Sequence, residues 1–118
     1  MRLPRPHIRA RHLPGAMNGI ERAYAAQLEA RRRPGEVLAY YFERVTLRLA
    51  DRTFYRPDFL VVTPDCIEIH EVKGFWEDDA RVKWKVAAEQ NPWARFLAVR
   101  ADRRRGWVVE EYGRGGGA

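Results

Sequence analysis

The stretch 37–73 constrains the fold most, because β-branched and aromatic residues recur along it in short runs. The runs span 37–42, 45–49, 53–62 and 67–73, and short segments rich in polar residues or proline separate them. Such runs are typical of β-strands joined by turns, with antiparallel connections between neighbours. The sequence therefore predicts a sheet in the middle of the chain.

Helical patterns flank this β-rich stretch on both sides. Asn18 is a candidate N-cap, with Glu21 at the third position of a helix that ends at a Pro-Gly pair. Residues 77–90 form a second helical pattern with acidic residues in its first turn. Further strands are predicted at 95–100 and 107–110. This order predicts an α/β fold with one mixed sheet flanked by helices.

The chain is short enough that we expect one domain within its 118 residues. We expect a basic flexible arm at 1–17, a folded domain at 18–112 and a disordered glycine-rich tail at 113–118. A single cysteine excludes an internal disulfide framework. No apolar run is long enough to span a bilayer, so we expect a cytoplasmic protein with no membrane partner.

Positive charge is concentrated at the start of the chain. Residues 1–33 hold eight arginines and two glutamates, an excess that equals the net charge of +6 of the whole protein. A basic arm on a neutral body is a common way to grip a phosphate backbone, although a solubilising tail or arginine-rich coding would give the same composition. On the nucleic-acid interpretation, the arm contributes Arg2, Arg5, Arg9 and Arg11 as phosphate contacts.

Two charged residues end the strand predicted at 67–73. Alternation places Glu71 and Lys73 on the same face as two isoleucines, where charges are rare unless they have a role. If Thr63 pairs with Cys66 at the turn before this strand, the same register places Asp58 opposite Glu71, with Cβ atoms about 4.5–5.5 Å apart. A longer loop would shift the register, and Glu71 could then simply pair with Lys73 at a solvated edge.

Two carboxylates held this close repel each other, and a divalent cation between them reverses that effect. Oxygen ligands on a rigid sheet suit Mg²⁺ or Mn²⁺. Such an ion can orient an attacking water and neutralise charge on a phosphate, and an adjacent Lys73 could stabilise the developing charge or help to activate the water. The pattern therefore indicates metal-dependent phosphodiester hydrolysis.

These residues carry a family resemblance. Arg56-Pro57-Asp58, followed by Glu71-Val72-Lys73, resembles the motif of the PD-(D/E)xK nuclease superfamily. The segment from Glu71 into the second helix is similar to that of small phage-type endonucleases and of Holliday junction resolvases. The resemblance covers about residues 18–100, and it implies a restriction-endonuclease-like αβββαβ core.

The resemblance also implies roles for individual residues. It implies Glu21, Asp58 and Glu71 as metal ligands, together with the backbone carbonyl of Val72, and Lys73 as catalytic base or charge stabiliser. Glu21 has an alternative explanation, since a glutamate at this position can cap the helix start. His70 alternates to the opposite face from Glu71, which favours helix packing or the surface over a ligand role.

Further candidates for contact with DNA lie beside the motif. They are Arg56, next to the Pro-Asp pair, and Lys83 and Lys85 on the second helix, whose alternative is a solvated helix face. Tryptophans are more often core residues than stacking platforms, and Trp76 is the one we expect to face DNA or a partner subunit.

The function expected from the resemblance is that of a Mg²⁺- or Mn²⁺-dependent endodeoxyribonuclease acting on branched DNA. The four-way junction is the favoured substrate, because a domain of this size has no room for a separate sequence-reading module. Symmetric cutting of a junction implies a C2 homodimer. Two alternatives are a phage endonuclease with broader duplex or flap specificity and a DNA-binding protein on the same scaffold that does not cut. The expected setting is the cytoplasm of a bacterium or of a phage-infected cell.

Overall fold

Two helices and seven strands make up the computed structural model of the protein, which describes residues 15–113. In chain order they are α1 (Gly19–Arg32), β1 (Ala39–Phe42), β2 (Leu47–Ala50), β3 (Thr53–Tyr55), β4 (Phe59–Val62), β5 (Ile67–Lys73), α2 (Asp78–Gln90), β6 (Ala94–Asp102) and β7 (Gly106–Glu111). Most of the predicted arm (1–14) and tail (114–118) lies outside the described residues. Neither helix is long and apolar enough to cross a membrane.

Helix α1 begins at the predicted N-cap. The Asn18 Oδ1 accepts the Glu21 N–H at 2.8 Å, and the Glu21 Oε1 accepts the Asn18 N–H at 2.9 Å. This reciprocal capping box satisfies two backbone donors that the first turn leaves unpaired. At the other end, Pro34 and Gly35 follow the helix, and Gly35 adopts a positive φ of 92° that suits glycine. The predicted first helix is confirmed.

The strands form two sheets, where the sequence analysis predicted one. The larger sheet has five strands in the order β1-β4-β5-β6-β7, and it is mixed because β5 and β6 are parallel while the other pairs are antiparallel. Strands β2 and β3 form a separate antiparallel pair. The α/β class and the mixed sheet are therefore confirmed, and the prediction of a single sheet is wrong.

The second sheet arises because the chain changes sheet at two points of the β-rich stretch. Residues 53–62 were expected to form one strand, but Arg56, Pro57 and Asp58 interrupt it and leave β3 and β4 in different sheets. Proline cannot donate a hydrogen bond to a sheet, which explains the break. The chain also changes sheet between the predicted runs 37–42 and 45–49, near Glu43, whose positive φ of 50° turns the chain.

The five-stranded sheet separates two apolar layers. Helix α1 packs on one face, where Tyr24 and Leu28 meet Phe59, Val61 and Val99. Helix α2 and the small sheet cover the other face, where the buried residues are Tyr55, Ile69, Trp84, Ala87, Ala88, Phe96 and Ala98. Side chains of β5 alternate between the two layers, so this central strand contributes to both.

A buried polar chain links α1 to the sheet. The His70 Nδ1 and the Tyr24 hydroxyl share a hydrogen bond of 2.7 Å. On the other side of the ring, the His70 Nε2 lies 2.8 Å from the Glu68 carboxylate. Arg95 then joins Glu68 to Glu111 on the neighbouring strands. Of the two expectations for His70, helix packing or the surface, the structure shows helix packing, since the side chain is buried against Tyr24 of α1. The hydrogen bonds satisfy polar groups that would otherwise destabilise the core.

Replacing Leu28 by alanine should destabilise the protein strongly, because Leu28 has no exposed surface within the α1 layer. Truncation of a buried leucine costs about 2–5 kcal/mol of unfolding free energy, a large part of the total for a small domain. Leu38, which is 56% exposed, provides the matched control, and Leu38→Ala should change stability by less than about 1 kcal/mol. Urea denaturation of both variants measures the difference. Equal losses would contradict this account of the core.

Candidate active site

The register between β4 and β5 brings the predicted site residues together. Phe59 pairs with His70, and the Thr63 N–H donates to the Cys66 carbonyl at 2.9 Å, so the predicted register is confirmed. Asp58 immediately precedes β4, one position outside the ladder. Its Oδ2 accepts the Val72 N–H at 2.7 Å, which fixes the carboxylate against the end of β5.

Glu71 lies next to Asp58, and its carboxylate contacts Lys73 on the same strand and Tyr55 on another. Its Oε2 is 3.1 Å from the Lys73 Nζ, and its Oε1 accepts a hydrogen bond of 2.5 Å from the Tyr55 hydroxyl. Tyr55 belongs to β3 in the small sheet, so the site is built where the two sheets meet. Asp58, Glu71 and Tyr55 are buried, while the Lys73 side chain is 33% exposed and reaches the surface.

The electrostatics of Asp58 reflect this burial. Loss of solvent raises the pKa of the Asp58 carboxyl to about 8, and the neighbouring Glu71 and Glu21 charges add to the rise. The hydrogen bond from Val72 and the Lys73 ammonium act in the opposite direction but do not compensate. Two carboxylates thus share a site in which ionising both is costly.

The pKa values of Glu71 and Lys73 are also shifted by burial and by their charged neighbours. Burial raises the pKa of the Glu71 carboxyl, and Lys73 and Tyr55 offset this only in part. Burial acts to lower the pKa of the Lys73 ammonium, but the Glu71 and Asp58 carboxylates outweigh it and raise that pKa above its ordinary value. Lys73 is therefore a cation at neutral pH, which suits stabilisation of negative charge.

Glu21 occupies a different position from the other three predicted residues. It is buried near the site, since its charge contributes to the raised pKa of Asp58. The start of α1 lies close to the end of β5, because a Cβ atom on Gly74 would meet the Ile20 Cδ1 at 2.9 Å. The Glu21 Oε1 is engaged with the Asn18 N–H, as the alternative interpretation predicted.

The donor set of the site fits a hard divalent cation. Asp58 and Glu71 supply carboxylate oxygens only, the chemistry that Mg²⁺ and Mn²⁺ prefer. Within residues 15–113, however, no group of three or more acidic, histidine or cysteine side chains is arranged to hold a metal ion. The structure therefore places two carboxylates together and leaves Glu21 in its capping box.

The predicted DNA contacts are distributed unevenly around this site. Lys83 and Lys73 line the same surface cavity of about 430 Å³, together with Phe75, Glu77, Asp79 and Ala80. Arg56 is exposed beside the site, and Lys85 is exposed but does not line the cavity. The arm residues Arg2, Arg5, Arg9 and Arg11 lie outside the described part of the chain.

Two residues at the site, Tyr55 and Phe75, were not predicted from the sequence. Tyr55 falls in a run expected to continue to Asp58 as a single strand, and the break at Pro57 removes any basis for predicting its face. Phe75, next to the expected Trp76, is 76% exposed. Its position two residues after the Glu-x-Lys motif is a signal that could have identified it.

Comparisons of the chain with protein families, with curated proteins and with solved structures found no match.

Replacing Asp58 by asparagine should stabilise the protein at high pH in buffer containing EDTA. Asparagine can still accept the Val72 N–H, but it carries no charge. A carboxyl whose pKa rises on folding, here from 3.8 to about 8, stabilises the folded state while protonated, and that contribution is lost as pH rises through 8. The wild-type unfolding free energy should therefore decline from about pH 4 to pH 8, with a smaller decline in Asp58→Asn.

Urea denaturation at a series of pH values measures these curves. They should converge near pH 4 and separate above it, and parallel curves would contradict the assigned environment. Asp65→Asn, at the exposed turn between β4 and β5, is the matched control and should follow the wild type.

Proposed function

We propose that the protein is a metal-dependent endodeoxyribonuclease that hydrolyses phosphodiester bonds in branched DNA. The observation that carries the proposal is the buried pair of Asp58 and Glu71 with the Lys73 ammonium 3.1 Å from Glu71. A purely structural pair of this kind would be costly, because both carboxyl pKa values are raised. Binding of a cation would remove that cost.

The arrangement of elements supports the same proposal. A helix, antiparallel strands ending in the Glu-x-Lys strand, a second helix and a parallel strand follow one another, which is compatible with a restriction-endonuclease-like core. In this scheme the chain is a member of the PD-(D/E)xK nucleases. Strands β2 and β3 would then be an insertion that contributes Tyr55.

Each residue has a distinct part in the proposed reaction. Asp58 and Glu71 would hold Mg²⁺ or Mn²⁺, with the Val72 carbonyl and Glu21 as further ligands if the capping bond of Glu21 is exchanged. The bound ion would lower the pKa of a water and neutralise charge on the phosphate. Lys73 would stabilise the additional negative charge of the reacting phosphate. Tyr55 is a positioning residue, because its hydroxyl orients Glu71.

Burial also keeps Tyr55 in its donor form. It raises the pKa of the Tyr55 hydroxyl, and the Glu71 charge adds to the rise, so the hydroxyl remains protonated. A neutral donor can hold Glu71 in one orientation without competing for the cation.

The proposed substrate is DNA with a branch, most specifically a four-way junction. The basic arm, with Arg2, Arg5, Arg9 and Arg11, would contact phosphates sequence-independently, as would Arg56, Lys83 and Lys85. Two symmetric incisions require two active sites, so the proposal includes a C2 homodimer. A bacterial or phage-infected cytoplasm is the proposed setting.

Purified protein should cut a labelled four-way junction in Mg²⁺ and not in EDTA. Glu71→Gln and Lys73→Ala should each reduce the cleavage rate at least about 100-fold, because each removes a charged group that contacts the metal or the reacting phosphate. Single-turnover rates on denaturing gels measure the effect, with matched duplex and single-stranded DNA in parallel. Binding of the junction should survive in both variants.

The Asp65→Asn variant controls for loss of a surface acid and should cleave like the wild type. Cleavage of duplex at an equal rate would replace junction specificity with general endonuclease activity. Junction binding without cleavage in Mg²⁺ or Mn²⁺ would contradict the enzyme proposal and favour a DNA-binding protein on this scaffold.

Addition of Mn²⁺ or Mg²⁺ should raise the melting temperature of the protein without DNA. A ligand that binds only the folded state at 100 times its dissociation constant adds about 2.7 kcal/mol to the unfolding free energy. Differential scanning fluorimetry at pH 8 measures the shift. Asp65→Asn should retain the shift and Glu71→Gln should lose it, whereas an equal shift in all three proteins would place the cation elsewhere.

A further inference from the structure

Phe75 is the most exposed aromatic side chain among the described residues, with 76% of its surface accessible. It follows Lys73 and Gly74 at the end of the motif strand. Trp76, its neighbour, packs instead against Trp84 with ring centroids 5.7 Å apart and lies under the Arg81 guanidinium. The core therefore holds Trp76 and leaves Phe75 in solvent, at a net cost in hydrophobic free energy.

The surroundings of Phe75 identify what could cover it. The ring lines the 430 Å³ cavity that Lys73 and Lys83 also line, and Lys73 contacts the catalytic Glu71 of the proposed function. This volume lies in the lower part of the range of about 300–1,000 Å³ for sites that bind small organic groups. An occupant of the cavity would therefore lie directly beside the reacting phosphate.

The charges of the cavity favour an uncharged occupant. Glu77 and Asp79 line it together with the two lysines, so the four formal charges cancel. A phosphate gains little from such a lining, whereas a nucleobase is neutral, presents a π-face to an aromatic ring and carries N–H groups that carboxylates accept. The combination of an aromatic ring, balanced charge and proximity to Lys73 fits a base.

We propose that Phe75 stacks on a nucleobase that adjoins the scissile phosphate and has lost a stacking neighbour, as at a branch point or beside unpaired nucleotides, so that DNA whose base stack is interrupted at that point is the preferred substrate. A base within continuous duplex is stacked on both faces by its neighbours and cannot present a face to Phe75 without being extruded. A base at a branch point or gap has a free face. This inference rests on the proposed function and specifies its substrate class.

Binding measurements with Phe75→Ala test the proposal. The probes are a 30-base-pair duplex with a central three-nucleotide unpaired segment and the same duplex fully paired, each labelled with a fluorophore and titrated in Ca²⁺. Alanine should weaken binding to the unpaired probe by about 5- to 150-fold and leave binding to the paired probe within twofold. Phe75→Trp should restore the preference, because it retains a stacking face.

Trp93→Ala is the control for loss of an exposed aromatic. Trp93 is 55% exposed and precedes Ala94, which pairs with Ile67 at the opposite end of β5 from Lys73. This variant should bind both probes like the wild type. Unchanged binding by Phe75→Ala, an equal loss on both probes, or a wild type that binds neither probe would each overturn the inference.

Cleavage of both probes in Mg²⁺ separates this inference from the proposed function. If Phe75→Ala loses its preference in binding but the wild type cuts neither probe, stacking stands and the nuclease proposal fails. If the wild type cuts and Phe75→Ala retains the preference, the nuclease proposal stands and stacking fails.

Discussion

The hydrogen bond from the Val72 N–H to the Asp58 carboxylate holds the site and the sheet in one arrangement. Asp58 immediately precedes β4, and Val72 is the penultimate residue of β5. At this end of the β4–β5 pair, the acceptor is therefore a side-chain carboxylate and not a backbone carbonyl. The chain reaches β4 from the other sheet through Arg56 and Pro57, which lie outside the strand pairing. The same contact brings a carboxylate beside Glu71. One hydrogen bond thus positions the start of β4 against β5 and also contributes to the electrostatic environment of Glu71.

The small sheet completes the site from outside the main sheet. Tyr55 at the end of β3 donates to Glu71, and helix α2 covers the same face. Glu71 consequently has donors on both oxygens, Tyr55 on one and Lys73 on the other. A group with two fixed donors has a defined orientation, which is the requirement for a ligand or for a proton carrier. Because the predicted strand is interrupted, Tyr55 lies in a separate sheet from which it can orient Glu71.

Sequence patterns predicted the helices and strands well, and predicted less well which strands pair and which side chains pack together. The β4–β5 register followed from one turn, and Thr63 secures that turn because its Oγ1 accepts the Cys66 N–H at 3.1 Å. Asp58, Glu71 and Lys73 could be placed together for this reason. The second sheet and the position of Tyr55 could not be predicted. A proline interrupts the strand, so the alternation of side chains between the two faces cannot be extended across it from Phe59 to Tyr55. Which of Phe75 and Trp76 joins the core depends on packing against α2, and this is a tertiary property.

Strand β5 carries ionisable side chains at Glu68, His70, Glu71 and Lys73 between apolar residues. In the native protein these groups are satisfied on both faces of the sheet. In an unfolded or nascent chain they interrupt an isoleucine- and valine-containing segment that would otherwise have high β-propensity and low charge, the composition that promotes intermolecular β-stacking. The residues that provide the site thereby also protect the most central strand from aggregation before it finds its neighbours.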